Sequence, residues 1–369
     1  MKINGEHFRS IWFDHDSEQV MVIDQRELPF SLKCISLNTV DDTSIAINQM
    51  AVRGAPLIGA TAAWGMWLAT KHDPSDSNIM QAAEQLESTR PTAINLSWAL
   101  NRMLTIILEL PQHERAKAAK QHAEKLCDED VETNKRIGDY GLALLKKMFA
   151  TTVSIKPINI LTHCNAGWLA TVDWGTALAP VFKAHEAGID IHVWVDETRP
   201  RNQGASLTAW ELQAHGVAHT VVTDNAGGHL MQEGQVDVCL VGSDRTARNG
   251  DVCNKVGTYL KALAAFDNGV PFYAAVPSST IDWSCQDGVN DIPIEHRPDS
   301  EVRFVTGITN KGIIEQVRIT PETSSVANPA FDVTPSRLVT GLITDQGIIE
   351  ASAETLSKIC PRWASNAPS

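Results

Sequence analysis

The chain has 369 residues, a formal net charge of −13 and a hydrophobic fraction of 43%. At roughly 150 residues per domain, that length predicts two domains with enough apolar material for a full core. The acidic balance argues against a nucleic-acid or anionic-membrane surface as partner, while leaving room for a local basic pocket.

The cysteines are Cys34, Cys127, Cys164, Cys239, Cys253, Cys285 and Cys360. They are odd in number and never spaced as Cys-x-x-Cys, which argues against a disulfide framework or a zinc site. Met1-Lys2-Ile3-Asn4-Gly5-Glu6 lacks the apolar core of a signal peptide. No uncharged apolar run reaches the roughly 18 residues of a membrane span. The expectation is a cytoplasmic protein with no membrane partner.

In chain order, Ile11-Trp12-Phe13 and Val20–Ile23 flank a polar turn and predict a β-hairpin. Asp41-Asp42-Thr43 predicts a helix start, with acids at its positive end. Leu57–Ala69 is apolar on nearly all sides and predicts a buried helix. Thr92–Leu110 and His113–Phe149 predict longer helices, the second broken near Cys127–Asp130. Thr151–Pro157 predicts a linker. The domains are therefore 1–150, mainly helical with a β-hairpin, and 151–369.

The second domain carries five short apolar runs, each ending in polar residues. Ile158–Leu161 leads into Thr162-His163-Cys164-Asn165. Ile191–Val195 leads into Asp196-Glu197-Thr198-Arg199, and Thr220–Val222 into Thr223-Asp224. Val238–Val241 leads into Gly242-Ser243-Asp244-Arg245, and Phe272–Val276 into Pro277-Ser278-Ser279. Segments of helical pattern separate them, which predicts βαβ units and a parallel sheet: an α/β fold. Parallel strands put their polar tips along one edge, where open α/β sheets bind ligands. Further on, Val302–Gly307 and Gln316–Ile319 predict strands. Thr334 and Pro335 predict the start of a helix at about Ser336–Leu342. The tail after Cys360 is expected to fray.

Several residues can carry chemistry. Arg53-Gly54-Ala55-Pro56 offers a guanidinium, a flexible glycine and a helix N-terminus to an anion. The alternative is a plain helix joint with a solvated arginine. Arg90-Pro91-Thr92 repeats the pattern, an arginine before a proline-started helix. Cys164 follows a strand and precedes a predicted helix, which can lower a thiol pKa. It can serve as base, nucleophile or pocket wall. Asp244 ends a very apolar strand, where burial raises a carboxyl pKa and suits a general acid. It can equally be a structural acid paired with Arg245 or Arg248. Asn254 and Lys255 are expected to open a helix. Gln203 and Gly204 can meet a sugar hydroxyl. Asp196–Arg201 packs opposite charges together, and the acids Asp196 and Glu197 are expected to form self-neutralising ion pairs within it. No Gly-x-Gly-x-x-Gly, Walker loop or metal spacing is present, so neither nucleotide cofactor nor metal is expected.

Taken together, Val52-Arg53-Gly54-Ala55-Pro56-Leu57-Ile58-Gly59, Arg90-Pro91-Thr92-Ala93-Ile94-Asn95-Leu96 and Thr162-His163-Cys164-Asn165-Ala166-Gly167 resemble the S-methyl-5-thioribose-1-phosphate isomerases. So do Asp196 to Gly204, Gly242 to Arg245, Asn249 to Tyr259 and Asn328 to Pro335, in the same order over residues 8–350. The resemblance implies conversion of 5-methylthioribose 1-phosphate to 5-methylthioribulose 1-phosphate in methionine salvage. It implies a smaller N-terminal domain, a Rossmann-like C-terminal domain and a homodimer. Asp244 resembles the proton donor and Cys164 the second catalytic residue. Arg53, Gly54, Ala55, Arg90, Gln203, Asn254 and Lys255 resemble the substrate contacts.

Departures from the family pattern fall at Trp168, Asp173-Trp174, Ser243 and Thr246-Ala247-Arg248. They direct attention to the sugar's C5 substituent, and 5-deoxyribose 1-phosphate is the alternative substrate. Ribose 1,5-bisphosphate would need a second cationic pocket. The regulatory subunits of the exchange factor for eukaryotic translation initiation share the fold. A non-catalytic sugar-phosphate-binding role is the alternative from outside enzymology.

Overall fold

The computed structural model describes residues 1–3, 5–151 and 157–359. Residues 152–156 of the expected linker and the tail from residue 360 lie outside the described residues. The predicted hairpin forms from Ile11–Asp14 and Gln19–Ile23, and Cys34–Leu37 adds a third antiparallel strand. Thr39 caps the Val40–Asn48 helix with a reciprocal capping box. Its Oγ1 accepts from the Asp42 N–H at 3.0 Å, and Asp42 Oδ2 accepts from the Thr39 N–H at 3.0 Å.

The Ala55–His72 helix is buried from Ala55 to Thr70, as its unbroken apolar composition predicts. The helices Asp76–Glu87, Ile94–Leu108 and Gln112–Thr151 surround it. The expected break near Cys127–Asp130 does not occur: Gln112–Thr151 is one 40-residue helix. Its polar Asp130 is satisfied across the fold instead. Asp130 accepts from the Val172 N–H at 2.8 Å and from Asn134 Nδ2 at 3.0 Å.

The main sheet has seven strands. Their spatial order is Gly347–Ile349, Gly341–Thr344, Phe272–Val276, Val238–Val241, Ile158–Thr162, Ile191–Asp196 and His219–Val222. All neighbours are parallel except the outermost Gly341–Thr344 and Gly347–Ile349 pair. The architecture is thus mixed α/β around a largely parallel sheet. From Ile158–Thr162 the chain runs outward through Ile191–Asp196 and His219–Val222. It then returns to lay Val238–Val241 on the other side of Ile158–Thr162. That reversal makes a switch point between these two strands, where their loops part and leave a crevice.

Two expectations for the chain's last quarter need correction. Ser336–Leu338 is a single 3₁₀ turn, and Gly341–Thr344 is a buried strand. Pairing along Phe272–Val276 overrides the local helical pattern. Thr334 does not cap this turn: the Ser336 N–H donates to Asp251 Oδ1 at 2.8 Å. A second, four-stranded sheet joins Ile281–Asp282, Arg245–Ala247, Val252–Lys255 and Phe331–Thr334 beside the main sheet's edge. Among the described residues no helix is long and apolar enough to cross a membrane.

Candidate active site

The strand Ile158–Thr162 ends two residues before Cys164, and Val238–Val241 ends three residues before Asp244. The switch point therefore sets these two loops side by side. Both residues line one pocket with Arg53, Gly54, Ala55, Arg90, Gln203 and Lys255. Asn254 is not on that lining. It lies between Cys253 and Lys255 on the strand Val252–Lys255, where alternate side chains point oppositely, and its Nδ2 donates to Thr258 Oγ1 at 3.1 Å. The expected helix start at Asn254 and Lys255 is corrected accordingly. The helix begins at Thr258, after Gly257 takes a φ of 105°.

The cations are placed in different ways. Arg53 donates to Asn165 Oδ1 at 2.5 Å and to the Asn165 carbonyl at 2.8 Å. Gly54 follows with a φ of 91°, and a Cβ there would meet the Ala170 carbonyl oxygen at 2.4 Å. Only glycine lets the helix beginning at Ala55 bring its N-terminus to the pocket. Arg90 does not precede a proline-started helix. The Ala93 N–H bonds back to Arg90 O at 3.0 Å around Pro91, and the helix starts at Ile94. Arg90 is buried, and Glu295 Oε2 accepts from it at 2.9 Å, but its Nε–H meets no acceptor among the described residues. A buried orphan donor on a guanidinium is suited to an incoming oxyanion. Lys255 Nζ donates to the Ala330 carbonyl at 2.9 Å and lies 4.7 Å from the Phe331 ring centre.

Cys164 sits on strained backbone. Met50, Cys164, Thr198 and Asn202 adopt φ values of 59°, 69°, 66° and 54° around the site. For the β-branched Thr198 this is a rare conformation. Thr198 Oγ1 accepts from the Cys164 N–H at 2.8 Å and donates to Asp196 O at 2.9 Å. The Thr198 and Arg199 N–H groups both donate to the Asp224 carboxylate. The Cys164 thiol donates to Gln203 Oε1 at 3.3 Å.

No helix N-terminus follows Cys164 closely. A 3₁₀ turn at Trp168–Ala170 comes first, and the next helix is Ala179–Glu186. The thiol pKa is consequently raised, not lowered: burial dominates over the pull of Arg53 and Lys255. Burial also raises the Asp244 carboxyl against the pull of Lys255, Arg53 and Arg90, and it lowers the Lys255 ammonium. Asp244 is not held by Arg245, which instead donates to Asp282. It accepts no side-chain hydrogen bond among the described residues and retains partial exposure toward the cavity.

The charges of residues 196–201 do not neutralise one another. Asp196 binds His163 Nδ1 at 2.8 Å and Lys261 Nζ at 3.2 Å, and Arg201 pairs with Glu301 at 3.0 Å. His163, Asp196 and Asp224 offer three ligand atoms within 4.8 Å of one another. Lys261, which also donates to the Asp224 carbonyl, already supplies the positive charge there. Trp168 and Trp174 do not line the pocket. Trp168 is fully buried against Trp210, and Trp174 lies beneath Lys183.

Sequence reasoning missed Met50, Ile292, Pro293 and Phe331 on the pocket wall, and Glu295 and Glu211 behind it. Glu211 carried one usable signal, a lone acid within Leu207-Thr208-Ala209-Trp210-Glu211-Leu212. A second cavity adjoins the first, shares Met50, Arg53 and Gln203 with it, and reaches Phe304 and Gln316 of a hairpin.

The switch-point crevice, the three buried cations and the protonatable pair define an α/β protein whose pocket gathers positive charge beside a cysteine and an aspartate. The chain belongs to the initiation factor 2 subunit family, whose pattern matches residues 51–351. It is 56% identical to the methylthioribose-1-phosphate isomerase of Sinorhizobium medicae, over 98% of this chain and 99% of that one. It is 57% identical to the protein of that name from Paramagnetospirillum magneticum, over 99% of this chain and 100% of that one. Among solved structures it resembles 5-methylthioribose 1-phosphate isomerase from Pyrococcus horikoshii, with a TM-score of 0.82 and 40% identity over 97% of both chains. It also resembles the translation initiation factor eIF-2B delta subunit from A. fulgidus, with a TM-score of 0.78 and 40% identity over 96% of this chain and 100% of that one.

Proposed function

We propose that this protein is an aldose–ketose isomerase that converts 5-methylthioribose 1-phosphate to 5-methylthioribulose 1-phosphate in methionine salvage. The observation that carries the reading is the convergence of Cys164 and Asp244 with Arg53, Arg90 and Lys255 on one pocket. The names of the relatives at 56–57% identity agree with it. The likeness to an initiation-factor subunit shows that the fold alone does not decide between catalysis and regulation.

A phosphate on C1 blocks ordinary opening of the sugar to a free aldehyde, so the ring C–O bond must break with the phosphate in place. Arg53, Arg90 and the N–H groups at Gly54 and Ala55 hold the phosphate. Asp244, whose carboxyl burial raises above the usual carboxylate range, gives its proton to the ring oxygen as that bond breaks. Burial raises the Cys164 thiol and disfavours a thiolate base with its enol-type intermediate, so in this reading hydrogen leaves C2 with its electron pair and bonds to C1. The C2 hydroxyl then becomes the ketone and returns its proton to the Asp244 carboxylate, which restores the acid. Cys164 excludes water from this transfer, and Gln203 orients its thiol.

The same reading takes residues 1–150 as a smaller, mainly helical domain and 151–369 as a Rossmann-like domain, in a cytoplasmic homodimer. Ribose 1,5-bisphosphate is disfavoured. The adjoining cavity holds Arg26 and Arg201, but Asp24 and Glu301 already pair with them. The test is turnover of purified protein on 5-methylthioribose 1-phosphate and 5-deoxyribose 1-phosphate in parallel. Preference for the first is expected. Preference for the second would make this a 5-deoxyribose disposal enzyme, and turnover of neither would return the non-catalytic role.

A further inference from the structure

Behind the pocket wall lies a carboxylate that this chemistry leaves unused. Glu211, on the Ala209–Ala214 helix, is fully buried. Its Oε1 accepts from Asn165 Nδ2 at 2.8 Å and from the Leu169 N–H at 3.1 Å. Its Oε2 accepts from the Trp168 N–H at 2.9 Å. A Cβ on Gly167 would sit 1.9 Å from Oε2, so a glycine is required for the loop to close on the carboxylate. Burial pushes this carboxyl up to about 7, a cost that an apolar side chain filling the same space would not carry. What the carboxylate supplies in return is an acceptor for three buried donors, the Asn165 amide and the Trp168 and Leu169 N–H groups, and so a fixed position for the groups that carry them.

Donor and acceptor chemistry shows what that is. Thr208 Oγ1 donates to the Cys164 carbonyl at 2.7 Å, so toward Asn165 Nδ2, at 3.2 Å, it can only accept. Glu211 Oε1 already takes an N–H and also accepts. Both therefore require the amide nitrogen of Asn165 on their side. That leaves Asn165 Oδ1 facing Arg53, whose guanidinium only donates.

We propose that Glu211 is a positioning residue for the isomerisation: through Asn165 it aims the Arg53 guanidinium into the pocket, and through the Trp168 and Leu169 N–H groups it fixes the loop that carries Cys164. The inference rests on the reading that Arg53 holds the substrate's phosphate.

Glu211→Gln places an amide NH₂ among groups that need acceptors. Its kcat/KM on 5-methylthioribose 1-phosphate is expected to fall by about 100-fold, the scale of a misplaced binding group, with most of the loss in KM. Asn165→Ala cuts the link but leaves Glu211 bonded to the loop. It should raise KM comparably at a thermal midpoint near wild type, and it carries the test if Glu211→Gln fails to fold. In a cycle with Arg53→Ala the KM losses should not add, because they remove one interaction. Unchanged KM in either folded variant, or additive losses, overturns the proposal. If the wild type turns over no sugar phosphate, the functional reading fails. Calorimetric binding of inorganic phosphate, expected to weaken in both variants and non-additively with Arg53→Ala, then decides the inference by itself.

Discussion

The Ala55–His72 helix and the tips of the central strands meet in one pocket, yet they are built in opposite ways. The helix is mostly apolar and buried from Ala55 to Thr70, and it meets the pocket at its N-terminus through Gly54, which has no side chain to offer. The strand tips hold buried polar groups on strained backbone, at Cys164 and Thr198 above all. A rigid apolar element delivers fixed backbone dipoles and an arginine, which suits holding a phosphate. A strained, desolvated edge delivers shifted acid strengths, which suits proton transfer. Binding and chemistry should therefore separate between the two regions under mutation.

Asp244→Asn gives the largest effect. Removal of the general acid should lower kcat by about 1,000-fold with KM little changed. An equal loss in both parameters would break the division of labour. On the helical side, Arg53→Ala removes charge-assisted hydrogen bonds and should raise KM by about 100-fold while sparing kcat. Steady-state kinetics of both variants on 5-methylthioribose 1-phosphate measures the contrast directly.

A smaller effect separates the regions by pH. Asp130, in the helical layer and not on the pocket lining, has its carboxyl pushed up to about 7 by burial. The native state then binds its proton more tightly than the unfolded chain does. Its contribution to stability is present at low pH and declines as pH rises from the ordinary carboxylate range through about 7. Asp130→Asn should flatten that part of the stability profile in denaturant titrations and leave kcat unchanged; a profile of undiminished slope would sink the assignment. The raised Asp244 acts on activity with the same sign, its acid form persisting above the usual carboxylate range and turnover falling as pH climbs past it. The smallest effect belongs to Trp174→Phe. The side chain does not line the pocket, so KM should stay within about twofold of wild type. A larger change would restore Trp174 as a determinant of the C5 substituent.

Much of this arrangement was legible in the sequence because it repeats locally. Val238–Val241 and Phe272–Val276 are strands over the predicted residues, since a short apolar run bounded by polar residues is itself the strand signal. The Arg53-Gly54-Ala55-Pro56 motif pointed to a helix start near Leu57, and the helix begins two residues earlier, at Ala55. What escaped depends on partners distant in the chain. Gly341–Thr344 becomes a strand only beside Phe272–Val276. The direction of the Cys164 shift required knowing that no helix follows the loop and that the thiol is buried. Glu295 orients Arg90 across 205 positions of sequence, a relation that no spacing encodes.

The central claim is that Asp244 acts as the acid while hydrogen passes directly from C2 to C1, with Cys164 not acting as a base. The most direct test uses 5-methylthioribose 1-phosphate deuterated at C2, converted in ordinary water, with the product's C1 examined by NMR. Retention of deuterium at C1 is predicted, because hydrogen moves within the substrate and never resides on an exchangeable group. Washout into solvent would show that a base had removed it as a proton, and would contradict the hydride shift.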